Sequence, residues 1–267
     1  MTPHTSPSPD PQGFYQLLRC CVHPRLSHLL RALPPRVMVP FAAQFDTIML
    51  QAVDRLVGGT LFGLEVEHPR ALATLPLRLG GLGLTSLVTL ATIGWLGSLA
   101  LVWPQVRAIT GVDWDLSAAI DQTVGQPTFV QDTSAAARYA LAAHEQAVAR
   151  AARRPPTRQL VGHDLAPRES LLEALSFTDA FPHGQRLLAS VFHLGIWEAL
   201  WERATLARPV HDMVQLRLEF GTMRGTSAWL AAVPSQSRFC LDDIAFSTAL
   251  RHYLLLPPAH TWGDRCG

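Results

Sequence analysis

Lysine is absent: all 22 basic residues of the 267-residue chain are arginine, and 21 Asp and Glu leave a net charge of +1. No global field of either sign recruits nucleic acid or another polyanion. The arginine bias records a GC-rich coding sequence more than a chemical need. Charged residues make up only 16% of the chain and hydrophobic ones 48%. That excludes intrinsic disorder and lets a compact chain bury about three-quarters of its unfolded surface. Cysteine is also scarce, with an adjacent pair at Cys20 and Cys21 and distant singles at Cys240 and Cys266. This is neither a disulfide framework nor a finished zinc site, and it points to a reduced, intracellular setting, cytoplasmic or nuclear. Alternating apolar and polar runs are missing, so strands are at most minor and the expected class is all-α.

What is present is helical periodicity with clear punctuation. Residues 1–12 carry four prolines without the basic-then-apolar order of a secretory signal, so residues 1–13 are expected to be a disordered tail. Leu17, Leu18, Val22, Leu26, Leu29, Leu30 and Leu33 recur at helical spacing, with a break expected at His23-Pro24 and a stop at Pro34-Pro35. A second helix, expected to carry Val39, Phe41, Phe45, Ile48, Met49, Ala52, Val53 and Leu56 inward, ends at Gly58-Gly59. Gly80, Gly81 and Gly83 form a turn, and Thr85 or Ser86 caps the helix that runs from there to about Trp103. Asp132, Thr133 and Ser134 read as the cap of an Ala-rich helix stopped by Pro155-Pro156. Further helices are expected over 184–207, 210–223 and 243–256. The resulting organisation is a helical region at 14–104, a loose connection at 105–131 and a C-terminal helical region at 132–267, an irregular multi-helix bundle around a buried central helix.

That central helix lies in a stretch with no charge from Leu79 to Val106, of which residues 82–103 are long enough to cross a membrane. Thr85, Ser86, Thr89, Thr92 and Ser98 moderate its hydropathy, and single arginines flank it without a basic bias. A core helix buried on all sides is the preferred expectation, and a helical membrane-associated or scaffold protein the alternative.

Residues that could carry chemistry are few. Phe239-Cys240-Leu241-Asp242-Asp243 invites a polymerase reading, since paired carboxylates hold catalytic magnesium. Two-metal chemistry needs a third carboxylate and a strand to aim them, while Ile244, Phe246, Leu250 and Leu254 continue at helical spacing. Asp242 or Asp243 is therefore read as a helix cap. His23 with His28, and His144 with Glu145, lack the spacing of a zinc helix. No serine sits in a Gly-x-Ser-x-Gly elbow, and the glycine run at Leu79–Leu84 lacks the Gly-Lys-Ser/Thr ending of a phosphate loop. No enzyme activity, metal or cofactor is expected. Basic residues concentrate at Arg150, Arg153, Arg154 and Arg158 around Pro155-Pro156, with Arg25 and Arg31 as a second candidate. Arginines so placed suit phosphates, which supply most sequence-independent affinity.

Three segments, taken in order, resemble the region downstream of the palm in reverse transcriptases of non-LTR retrotransposons. The first is Leu17-Leu18-Arg19-Cys20-Cys21-Val22-His23-Pro24-Arg25-Leu26 through Leu29-Leu30-Arg31-Ala32-Leu33-Pro34-Pro35. It is similar to the leucine-rich helix, Cys, Pro-Arg and Pro-Pro that lead into the thumb. The second, Leu75-Pro76-Leu77-Arg78-Leu79-Gly80-Gly81-Leu82-Gly83-Leu84-Thr85-Ser86, looks like the family's Leu-Pro, Gly-Gly-Leu-Gly-Leu, Ser signature and is the most specific. The third runs from Gly225-Thr226-Ser227-Ala228-Trp229-Leu230 past Pro234 and Phe246 to Leu250-Arg251 and Leu256-Pro257. Residues between Gln105 and Asp212 match only in being helical.

The resemblance implies a thumb-like region at 14–104 that braces a template and primer through arginines, Arg78 included, and through backbone contacts in a groove. The family's fingers and palm would lie upstream of residue 14, so polymerase activity is not carried over. Cys266-Gly267 looks like the first element of the family's terminal cysteine and histidine cluster. The expected partners are RNA or an RNA/DNA hybrid and a separately encoded palm domain, with no membrane. An inert gene remnant is the remaining alternative.

Overall fold

The computed structural model describes residues 10–59, 61, 68–111, 127–154, 165, 167–176, 183–206, 211–223, 227–231 and 241–256. Most of them are helical, with no strand among the described residues, as the scattered β-branched residues lead one to expect.

α1 (Pro11–Leu17) starts on Asp10, whose side chain accepts from the Gly13 N–H at 2.8 Å, with Pro11 in the first helical position. Pro11 and Gln12 are buried, so order reaches further back than the expected tail boundary at residue 13. Residues 1–9 of that tail lie outside the described residues. The helix widens into a π turn (Leu18–Val22), tightens into a 3-10 turn (His23–Leu26) and resumes as α2 (Ser27–Ala32). Pro24 offers no N–H, which accounts for the break at the expected place. α3 (Pro35–Leu56) buries Met49, Val53 and Leu56 but leaves Phe41 and Ile48, expected inward, exposed, since the inward stripe is narrower than the run of apolar residues. It ends where Gly58 and Gly59 take φ of 78° and 79°, a conformation costly for any side chain. α4 (His68–Thr74) and a 3-10 turn (Leu77–Leu79) follow.

α5 (Leu87–Thr110) is capped by Ser86, whose Oγ accepts from the Thr89 N–H. It passes Pro104 and stops only at left-handed Gly111, beyond the expected end near Trp103. α6 (Thr128–Arg153) begins before its expected cap. Thr133 and Ser134 are buried, the Thr133 hydroxyl donates to Phe129 O at 2.8 Å, and Asp132 pairs with Arg36 at 3.1 Å. These polar side chains thus find tertiary or in-helix partners and are not needed as a cap, so helix occupies both ends of the expected loose connection. The remaining helices are α7 (Arg168–Ser176), α8 (Gly184–Leu206), α9 (His211–Thr222), α10 (Ala228–Ala231) and α11 (Asp243–Tyr253).

The chain divides into two units that interleave in sequence, unlike the consecutive division expected from composition. The first contains residues 1–25, 47–85 and 204–267, the second residues 26–46 and 86–203. In the first unit Tyr15, Leu79, Leu82, Leu230 and Phe246 are fully buried. Tyr15 lies 6.2 Å from Phe246, and Trp229 meets both Phe246 and Tyr253 edge-on. In the second unit α5 packs on α2, α6 and α7. One core gathers Trp95, Leu96, Leu99, Trp103, Leu188 and Phe192, and a smaller one Leu30, Met38, Ala42, Leu87 and Ala91.

Glycines on α5 bring backbones together: a Cβ at Gly94 would lie 3.0 Å from Leu30 O, and one at Gly97 2.6 Å from Gln185 Cβ. α5 is long and apolar enough to cross a membrane, yet 61% of its most apolar window is buried by the rest of the chain. The part from Leu87 to Ala100 is mostly buried, as in a core helix, while Leu101, Val102 and Ile109 further along are exposed.

Candidate nucleic-acid interface

The glycine turn of the first unit is an internal joint. Gly80 adopts φ 80° at the end of the 3-10 turn, and the Gly83 N–H returns to Leu75 O at 2.9 Å. A Cβ on Gly81 would fall 1.9 Å from Leu75 O, and one on Gly80 2.8 Å from Gly221 Cα. Only glycine fits either place. Arg217, one turn before Gly221 on α9, donates from Nη2 to Gly80 O at 2.7 Å and from Nε to Tyr253 O at 2.9 Å. Its guanidinium lies 3.5 Å from the Tyr253 ring centre.

The other two segments of the resemblance reach the second through His23 and Ser227, and Tyr15 and Gln16, just ahead of the first segment, add further bonds. The Tyr15 hydroxyl donates to Leu82 O at 2.6 Å and His23 Nε2 to Thr85 O at 2.6 Å. The Ser227 hydroxyl donates to Leu77 O at 3.1 Å, and Gln16 Nε2 to Leu230 O at 2.6 Å. Burial pushes the Tyr15 and Tyr253 hydroxyls above their ordinary pKa, with a nearby arginine, Arg19 or Arg217, opposing each shift, so neither phenol is primed as a base. Arg251 is buried, which lowers its pKa, and its guanidinium donates to Val57 O. These polar groups hold backbone to backbone. Asp242, the first carboxylate of the Asp-Asp pair, accepts from the Ala245 N–H at 2.7 Å and caps α11, as its sequence context implies.

The candidate arginines fall into two sets. Arg25 on the 3-10 turn, Arg31 in the last turn of α2 and Arg78 on the second 3-10 turn are exposed. Among the described residues Arg25 and Arg31 have no carboxylate partner. The described members of the set at the end of α6 pair with carboxylates within the second unit. Arg150 Nε and Arg153 Nη1 both reach the Glu202 carboxylate, at 3.2 and 2.5 Å, and Arg154 Nη2 lies 3.3 Å from Glu198.

Side-chain exposure is only 10% for Arg154 and 3% for Glu198, and the guanidinium lies 5.3 Å from the centre of the Trp197 ring, itself stacked on Trp201. Burial raises the Glu198 pKa, with Arg154 and then Arg150 pulling it back. Arg158 lies outside the described residues. Among the described residues of the run, Arg150, Arg153 and Arg154 all form ion pairs with α8, and of these three only Arg153 keeps an exposed side chain. Sequence reasoning missed those acceptors, although Glu198 and Glu202, four apart on an expected helix, share one face. It also missed Arg217, for which no local signal exists. No family model, curated protein or solved structure matches the chain.

Proposed function

We propose that the chain is a non-catalytic helical module akin to the region downstream of the palm in non-LTR reverse transcriptases, and that it holds RNA or an RNA/DNA hybrid through phosphate contacts without reading sequence. The observation that carries this reading is that the first and third resembling segments each bond to the second, His23 to Thr85 O and Ser227 to Leu77 O, although 62 and 150 residues separate the bonded partners. A chance likeness of short motifs gives no reason for such contacts. Of the candidate contacts, Arg25, Arg31 and Arg78 fit best, because each is exposed. Arg150 and Arg154 fit less well, since binding a phosphate would first break an ion pair that shields a buried or half-buried carboxylate.

The test is fluorescence anisotropy with a labelled RNA and with the same sequence as an RNA/DNA hybrid. Arg31→Ala is expected to weaken binding to unrelated sequences by the same factor, as loss of a phosphate contact does. A well-folded wild-type chain that binds neither probe would overturn the reading.

A further inference from the structure

Cys20 and Cys21 are consecutive, both exposed and both free thiols, and they occupy the π turn (Leu18–Val22) after α1. Consecutive Cα atoms across a trans peptide are about 3.8 Å apart, below the roughly 4.4 Å lower limit of ordinary disulfides. Closing an S–S bond between these two residues would therefore force the backbone out of its helical form, so the pair persists as two thiols. Neighbouring side chains fan around a helix axis by a smaller angle in a π turn than in an α turn, because each π turn holds more residues. The two cysteine positions are thus closer together around the axis than consecutive positions of an α turn, and both are exposed. Cys20 Sγ makes only a weak contact with Gln16 Oε1, at 3.7 Å, while Gln16 is anchored through Leu230 O. No cluster of three metal-ligating side chains occurs among the described residues, so the described chain offers an ion here two sulfurs and no third ligand. Leu17 and Val22 beside the pair are exposed and apolar, surroundings that suit a soft, weakly hydrated ligand better than a hard one.

We propose that Cys20 and Cys21 form a dithiol site for a thiophilic centre that accepts two sulfur ligands, trivalent arsenic being the chemical type. With phenylarsine oxide the arsenic–oxygen bond breaks and two arsenic–sulfur bonds form. The oxygen leaves as water with both thiol protons, and the oxidation state of arsenic is unchanged. The second bond is intramolecular, so the pair gains roughly 10²-fold in affinity over either thiol alone.

The experiment uses the full chain carrying Cys240→Ser and Cys266→Ser, titrated with phenylarsine oxide and read by intact mass and by counting residual thiols. The expected result is one adduct per chain at one equivalent, loss of both thiols, resistance to excess glutathione and reversal by 2,3-dimercaptopropanol. Introducing Cys20→Ser or Cys21→Ser should weaken retention by roughly 10²-fold with unchanged helical circular dichroism. Two titratable thiols remaining after one equivalent, or single variants that retain the arsenical as well as the pair does, would overturn the proposal.

Discussion

At the scale of single residues, the glycine turn and the buried ion pair make the strongest demands on side-chain identity. Gly81→Ala drives a methyl group into Leu75 O and should cost more than about 3 kcal/mol in urea unfolding, within the tail reserved for severe overpacking. Gly59→Ala, at φ 79° but with open space around it, should cost only about 1–2 kcal/mol. Equal losses at the two sites would mean that close packing is not what selects glycine at residue 81. Arg154→Ala leaves the Glu198 carboxylate buried without its partner and should lower stability by about 3–5 kcal/mol. RNA affinity, measured where both forms are folded, should stay the same.

Because burial raises the Glu198 pKa, the folded chain holds that proton more tightly than the unfolded one. The associated stability is complete below the ordinary glutamate range and is lost as pH rises through the folded value. A urea midpoint series between about pH 4 and 7 should therefore show wild type losing stability relative to Glu198→Gln as pH increases. A constant difference across the series would contradict the shift.

At the scale of elements, the start of α5 carries a cap that composition alone does not announce. The Asp46 carboxylate accepts from the Ser86 hydroxyl at 2.6 Å, from the Leu87 N–H at 2.8 Å and from the Val88 N–H at 3.3 Å. Ser86 supplies the expected cap, and Asp46 extends it to two further orphan donors while placing a negative charge at the positive end of the helix. Asp46→Ala should cost about 2–3 kcal/mol by thermal unfolding, and Ser86→Ala about 1 kcal/mol. The reverse order would show that the tertiary carboxylate is incidental.

The same contrast explains what the sequence makes legible. Signals within a few residues carry through: Gly58-Gly59 ends α3, Asp242 caps α11, and periodicity places α8 almost to the residue. Signals that depend on distant partners do not. Thr133 is a plausible cap until Trp95 Nε1 is found donating to it at 3.3 Å, and Pro104 is a plausible stop until the helix is seen to continue to Thr110. The arginine run at the end of α6 belongs with these, since its charge balance is set by Glu198 and Glu202 some 50 residues away.

At the scale of the whole molecule, a net charge of +1 gives no long-range attraction to nucleic acid. In the proposed binding mode affinity comes from local phosphate contacts, and the proposed contacts Arg25, Arg31 and Arg78 lie on exposed turns or helix ends. The α6 arginines are already matched by carboxylates, so the account assigns them to stability and leaves binding to the other three. A salt titration separates these assignments, since each phosphate contact on single-stranded RNA contributes about 0.7 to the slope of log affinity against log salt. The decisive measurement is that slope for wild type and for the chain carrying Arg25→Ala, Arg31→Ala and Arg78→Ala together. A slope of about −2 is expected for wild type, with the triple variant shallower by about 2 and so close to zero. Equal slopes, or no binding by folded wild-type protein at low salt, would contradict it.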